Sequence, residues 1–171
     1  HAQLYDVKAN PDGKLRFVAT FSKADSQGGV KGKDGFGLTV EHVQDKFFGG
    51  GNHIWVQYAQ GSTNINQGFG NALADTGTKT WRVVESPSWQ IGAFGGQAIA
   101  LYQHDEADGG VKWNSYTLGG RGSFGITKNL KFLTEIGFSG RKPNNGEQQN
   151  LTKVTIGPAL STGPDFWKRP E

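Results

Sequence analysis

His53, Trp55 and Gln57 stand two apart in the run HIWVQYA. In an extended chain alternate residues point to one side, so an imidazole, an indole and an amide share a face there. Charge recurs in the same way at Arg16, Glu41, Arg82, Arg121, Lys131, Glu135 and Lys153, each inside an alternating run. Such groups can stack and hydrogen-bond. They are not arranged for covalent chemistry. The chain has 0 Cys, which removes thiol nucleophiles and Cys-based metal sites. Glu41 and His42 are neighbours, so in a strand they face opposite sides and cannot act as a pair. His104, Asp105, Glu106 and Asp108 suggest a metal at first sight. They sit in a Gly-flanked loop without helical spacing or a second cluster, and the solvated-loop reading is favoured. GFGNAL and GGRGSFG are Gly-rich but precede no helix that could hold a phosphate. No enzyme activity, cofactor or metal is expected.

The elements that must position these groups are strands. Of 171 residues 27 are Gly, and aromatics make up 12%. This mixture suits turns and flat aromatic surfaces and is poor material for helices. Period-two alternation marks LRFVATF, FGLTVEHV, HIWVQYA, SYTLGGRGSFGI, LKFLTEIGF and LTKVTIGPAL. Weaker alternation covers Gln3–Lys8, Thr80–Ile91 and Gln97–His104. The expectation is an antiparallel meander of about nine strands, with a tenth beginning at Phe166 after the turn Gly163-Pro164-Asp165. Phe166 and Trp167 then face opposite sides. Gly119, Gly120 and Gly122, three in one strand, mark curvature or close packing against a neighbour.

The formal net charge is +3, with Lys and Arg dispersed rather than clustered, which argues against a nucleic-acid footprint. Mean hydropathy is −0.55, and no apolar stretch is long enough for a transmembrane helix. A transmembrane barrel hides its apolar surface in every second residue and escapes that test. The chain contains 0 Met, so it is expected to be a processed chain or a piece of a longer one. Alternation alone fits either a soluble sandwich or a barrel. The connections decide between them: short ones (NPDGK, GAFGG, TKN) alternate with long ones (KADSQGGVKGKD, QGSTNINQGFGNALADTGT, RKPNNGEQQN). Long loops collected at one end are the habit of an outer-membrane barrel.

KDGFGLTVEHVQ, HIWVQYAQGS, LYQHD, KWNSYTLGGRGSFGITKNLKFLTEIGF, LTKVTIGPALSTG and DFWKRPE together resemble the maltoporins, the sugar-specific porin family, in order and spacing. The resemblance implies an 18-stranded barrel in the bacterial outer membrane, assembled as a homotrimer. Residues 1–171 would be one part of it, incomplete at both ends. It further implies passive diffusion of maltodextrins or related oligosaccharides along a line of aromatics that stack on sugar faces, beside charged groups that bond sugar hydroxyls. Trp167 matches a stacking aromatic of the family, its alternative being an interfacial Trp at the membrane rim. Where the family has another such aromatic, this chain has Gly51, and Trp55 is a candidate substitute or packs against an inward-folded loop. Glu41, His53, Arg82, Arg121, Lys131, Glu135 and Lys153 are candidate polar contacts in the lumen; the alternative is cross-strand pairing that keeps the interior wet. A non-selective general porin and a soluble carbohydrate-binding sandwich are the competing readings.

Overall fold

The computed structural model describes residues 1–26, 28–29 and 31–168. Nine strands follow one another: β1 (Ala2–Asn10), β2 (Gly13–Ser22), β3 (Gly35–Phe47), β4 (Gly50–Gly61), β5 (Lys79–Ile91), β6 (Phe94–Glu106), β7 (Lys112–Gly125), β8 (Leu130–Pro143) and β9 (Gln149–Leu160). Each pairs antiparallel with its neighbours in sequence, giving one sheet in the order β1 to β9. All the weakly alternating stretches are strands, and β6 runs further than its pattern suggests. His104, Asp105 and Glu106 therefore close a strand instead of lying in a loop.

The short connections close one end of the sheet. Between β3 and β4, Phe48 and Gly49 both take positive φ, 47° and 80°. That is the geometry of a two-residue hairpin whose twist matches its strands. Gly at the second position removes one steric cost, and Phe48 bears the other. At the opposite end stand the long connections 23–34, 62–78, 107–111 and 144–148.

Register decides what the two faces are. Val18, Thr39, Gln57, Arg82, Gln103 and Ser115 stand abreast in one row. Phe17, Val40, Val56, Val83, Tyr102 and Tyr116 form the next row, on the other face. One face is polar and one apolar, and the apolar one is uncovered: Val56 is 53% exposed, Leu118 65% and Ile156 62%. Among the described residues the buried apolar side chains are only Val43, Ala59, Ala74 and Val84. A sandwich would bury its apolar face against a second sheet. Among the described residues no second sheet covers this one, so its apolar surface far exceeds what soluble monomers expose.

Aromatics edge that apolar face in two belts. Toward the long loops, Phe36 meets Tyr58, Trp81 meets Tyr102 and Tyr116 meets Phe138, with ring centroids 5.6, 5.4 and 5.9 Å apart. Toward the short turns, Trp89 meets Phe94 at 6.1 Å, and Phe94, Phe124 and Phe132 stand side by side. On β5, β6 and β7 the belts lie eight residues apart. At ~3.3 Å per residue that is about 26 Å along the strand, or roughly 20 Å of height at a tilt near 40°. An outer-membrane barrel carries an apolar band of about 25 Å between aromatic girdles. On β3, β4 and β5 four polar residues interrupt this face near the short turns: His42, Gln44, Asn52 and Glu85, of which Asn52 donates to Glu85 at 2.9 Å.

Candidate functional site

The polar face collects the charged and aromatic residues singled out above into four groups. In the first, on β2, β3 and β4, Glu41 lies between Arg16 and Trp55 in register. Its carboxylate accepts from His53 Nδ1 at 2.8 Å and from Arg16 Nη1 at 3.5 Å. His53 and Trp55, two apart, stack with centroids 5.2 Å apart and planes 20° from parallel. Trp55 thus packs on its strand neighbour, and its half-buried indole shares this face with an acid and a base.

Arg82 centres the second group. Its Nε donates to Gln57 Oε1 at 2.6 Å and its Nη2 to Asn66 Oδ1 at 2.6 Å. Gln57 in turn donates to Thr39 Oγ1 at 3.0 Å and to the Ile65 carbonyl at 3.3 Å. Through these bonds the long connection 62–78 folds inward over the polar face instead of standing off it. Arg82 holds that loop directly through Nη2 and indirectly through Gln57.

In the third group, on β7, β8 and β9, one carboxylate is bracketed by two cations. Glu135 is opposite Arg121 on one side and opposite Thr155, beside Lys153, on the other. Arg121 donates through Nε and Nη2 to Glu135 Oε2 at 3.1 and 2.7 Å, and Lys153 Nζ donates to Oε1 at 2.7 Å. Beside them Gly119 and Gly137 floor a hollow of about 390 Å³ with Ser86, Gln97 and Thr117 on its walls. The Gly residues do two jobs. A Cβ on Gly119 would come within 3.0 Å of the Ile136 carbonyl, and the missing side chains open the hollow.

Lys131 holds the fourth group. It is 1% exposed, and its ammonium donates to the carbonyls of Asp165, Phe166 and Lys168. The Phe166 N–H goes to Gln90 Oε1 at 2.7 Å, and Lys168 N–H closes a turn on the Asp165 carbonyl at 3.1 Å. The expected tenth strand therefore does not start at Phe166. Its backbone groups are taken by Lys131 and Gln90, and residues 161–168 form turns; the rest of the FWKRPE motif, 169–171, lies outside the described residues. Phe166 and Trp167 do not part to opposite faces either. They meet edge-on at 4.8 Å. Both line a hollow of about 270 Å³ with Arg121, Lys131, Gln97 and Leu133, and Trp167 is 61% exposed there.

The register adds a pair that the sequence reading overlooked. Trp113 shares the parity of Ser115 and Thr117, and Arg141 of β8 lies over its ring at 4.6 Å, a cation–π contact. Counting parity back from Arg121 would have found Trp113. Gly51 lies on the polar face at the foot of β4, where an added Cβ would meet only the Gln44 carbonyl, at 3.3 Å.

Chemically the face offers flat rings, charged donors and a few carboxylates, spread from β2 to β9 with no focus for bond-making among the described residues. It can bind weakly at many points. A family model described as LamB porin matches the chain over residues 1–171.

Proposed function

The chain belongs to the LamB porin family, a bacterial outer-membrane family of sugar-transporting trimeric channels rather than enzymes, and on that premise we propose that its polar face lines the lumen of a passive channel for maltodextrin-like oligosaccharides. The nine strands make about half the wall of an 18-stranded barrel whose apolar face meets outer-membrane lipid. A sheet with open edges leaves backbone groups unpaired, and lipid cannot satisfy them. The remaining strands close the barrel in this reading, and three such barrels assemble as a homotrimer.

The observation that carries the sugar reading is the hollow where Trp167 and Phe166 adjoin Arg121. A pyranose has an apolar face suited to an indole. Its hydroxyls take hydrogen bonds, the stronger ones from charged partners. Trp167 and Trp55 act as stacking surfaces. Glu41, His53, Arg121, Glu135 and Lys153 exchange bonds with hydroxyls. Arg82 and Lys131 act at one remove, by holding the inward loop and the Trp167 turn. Passage needs binding weak enough to release at every step, which suits dispersed clusters.

The test is planar-bilayer conductance of the full-length protein in rising maltodextrin. Graded block of the ion current supports the reading. Unchanged current at high sugar sinks it and leaves a general porin.

A further inference from the structure

We propose that the Arg121–Glu135–Lys153 cluster is a docking subsite for an anionic substituent on the sugar, a carboxylate, phosphate or sulfate group. The inference rests on the channel reading and narrows its substrate class toward acidic saccharides.

Charge and donor balance both point this way. Two cations share one carboxylate, so the cluster carries a formal excess of one positive charge. Both oxygens of Glu135 are engaged, Oε2 twice by Arg121 and Oε1 by Lys153. A guanidinium has five N–H donors and an ammonium three. Arg121 therefore keeps Nη1 and half of Nη2 free of Glu135, and Lys153 keeps two N–H groups free. What the cluster shows to an incoming ligand is donors under a positive field. A neutral hydroxyl, which both gives and accepts, makes incomplete use of such a surface. An anion, which only accepts, is its complement.

Access and surroundings agree. On the face of these nine strands the Arg121 and Lys153 side chains are 59% and 61% exposed. Arg121 stands between the two hollows, the glycine-floored one beside Glu135 and the one that holds Trp167. A ring resting on Trp167 brings its substituents toward Arg121. The wider wall has the same sign. On the polar face of β2 to β9 Lys14, Arg16, Arg82, Arg121, Lys131, Arg141 and Lys153 outnumber Glu41, Asp45, Asp105 and Glu135.

The experiment compares two ligands that differ only in one group: maltitol, with a terminal alcohol, and maltobionate, with a carboxylate in its place. Each is titrated against single-channel current of the full-length protein in low salt. Maltobionate should reach half-block at a concentration up to about fivefold lower, the scale of one exposed ion pair, and the advantage should shrink in 1 M salt, where the Debye length is about 3 Å. Lys153→Gln leaves the Arg121–Glu135 pair intact and should erase most of the advantage. Glu135→Gln frees both cations and should enlarge it. Equal half-block by the two ligands, or an advantage indifferent to both substitutions, overturns the subsite.

A second readout separates this from failure of the channel reading. If neither ligand blocks a conducting pore, sugar passage falls. The anion subsite is then judged by the reversal potential in a KCl gradient. It stands if Lys153→Gln moves selectivity toward K⁺ and Glu135→Gln toward Cl⁻, and it falls if neither moves.

Discussion

Lys131→Met offers the sharpest test of how Trp167 is held. The ammonium is 1% exposed and bridges three backbone carbonyls of the 161–168 turn. Methionine keeps the stem and removes the donors. β8 remains paired to β7 and β9 along its length, so the sheet should survive and the loss should be local. Bonds to charged groups contribute about 1.5–3 kcal/mol each, yet released carbonyls can turn to water and recover most of that. A net cost near 2 kcal/mol for keeping the turn docked is therefore expected. At about 1.4 kcal/mol per factor of ten, this raises the undocked population roughly thirtyfold. The assay is limited trypsin digestion of the folded full-length protein, followed at the bond after Lys168 by mass spectrometry. Cutting there should accelerate about thirtyfold where opening is faster than cleavage, while cleavage after Lys23 in the 23–34 connection serves as the unchanged control. A rate within about threefold of the parent would refute the reasoning, because the carbonyls would then not depend on Lys131.

Trp167→Ala should weaken maltodextrin block by about fivefold or more without lowering the unblocked current, since an aromatic contact contributes ~0.5–1.5 kcal/mol beyond area; unaltered block removes Trp167 from the sugar path. Gly51→Trp should strengthen block severalfold in the same assay, because the site is open apart from one carbonyl at 3.3 Å and an indole adds a stacking surface; reduced current with no gain in block would speak against it. In the long loops, Lys33 Nζ donates to Asp75 Oδ2 at 2.8 Å and Lys33 N–H to the Ala72 carbonyl at 2.9 Å. The Lys33 bond, then the Thr76 N–H, hold the Asp75 carboxyl below its ordinary value. A lowered folded-state pKa gives stabilisation that is present above the ordinary Asp range, near 4, and is lost as pH falls through the lowered value. Hydrogen exchange in 62–78 should thus be flat from pH 7 to 5, after correction for intrinsic rates, and rise below about 4. Asp75→Asn should abolish that step; a step that persists assigns it elsewhere.

The strands were legible because two-sided environments impose alternation, and residues such as Leu15, Phe17 and Phe21 obey it. Even the weak segment Gln97–His104 was recoverable, though Gly95 and Gly96 blurred its start. The parity of Glu41, His53, Arg121, Glu135 and Lys153 was legible too. Their pairing was not, since register depends on turn lengths at the far ends of the strands. Nothing local marks Asn66 as the partner of Arg82, or Lys131 as the anchor of a turn more than thirty residues away. For the same reason GPDFWK read as turn then strand. The turn was visible in its own residues, while the groups that prevent the strand sit on β5 and β8. Trp113 was missed because KWNSY begins in a Gly-rich loop and its alternation starts only there.

The order of the sheet has a consequence for how the wall is built. Every strand pairs with the one just made before it, so no ladder among these nine waits for a distant stretch of chain. Each hairpin is closed by a connection of a few residues or a loop whose added entropic cost grows only with the logarithm of its length. Assembly can therefore proceed like a zipper, one hairpin laid on the last. The growing edge is always the newest strand, whose free N–H and C=O groups form the template for the next. The hazard is equally local: at any moment the newest strand and the outer edge of β1, not a whole unfolded chain, have to be kept from pairing with a stranger.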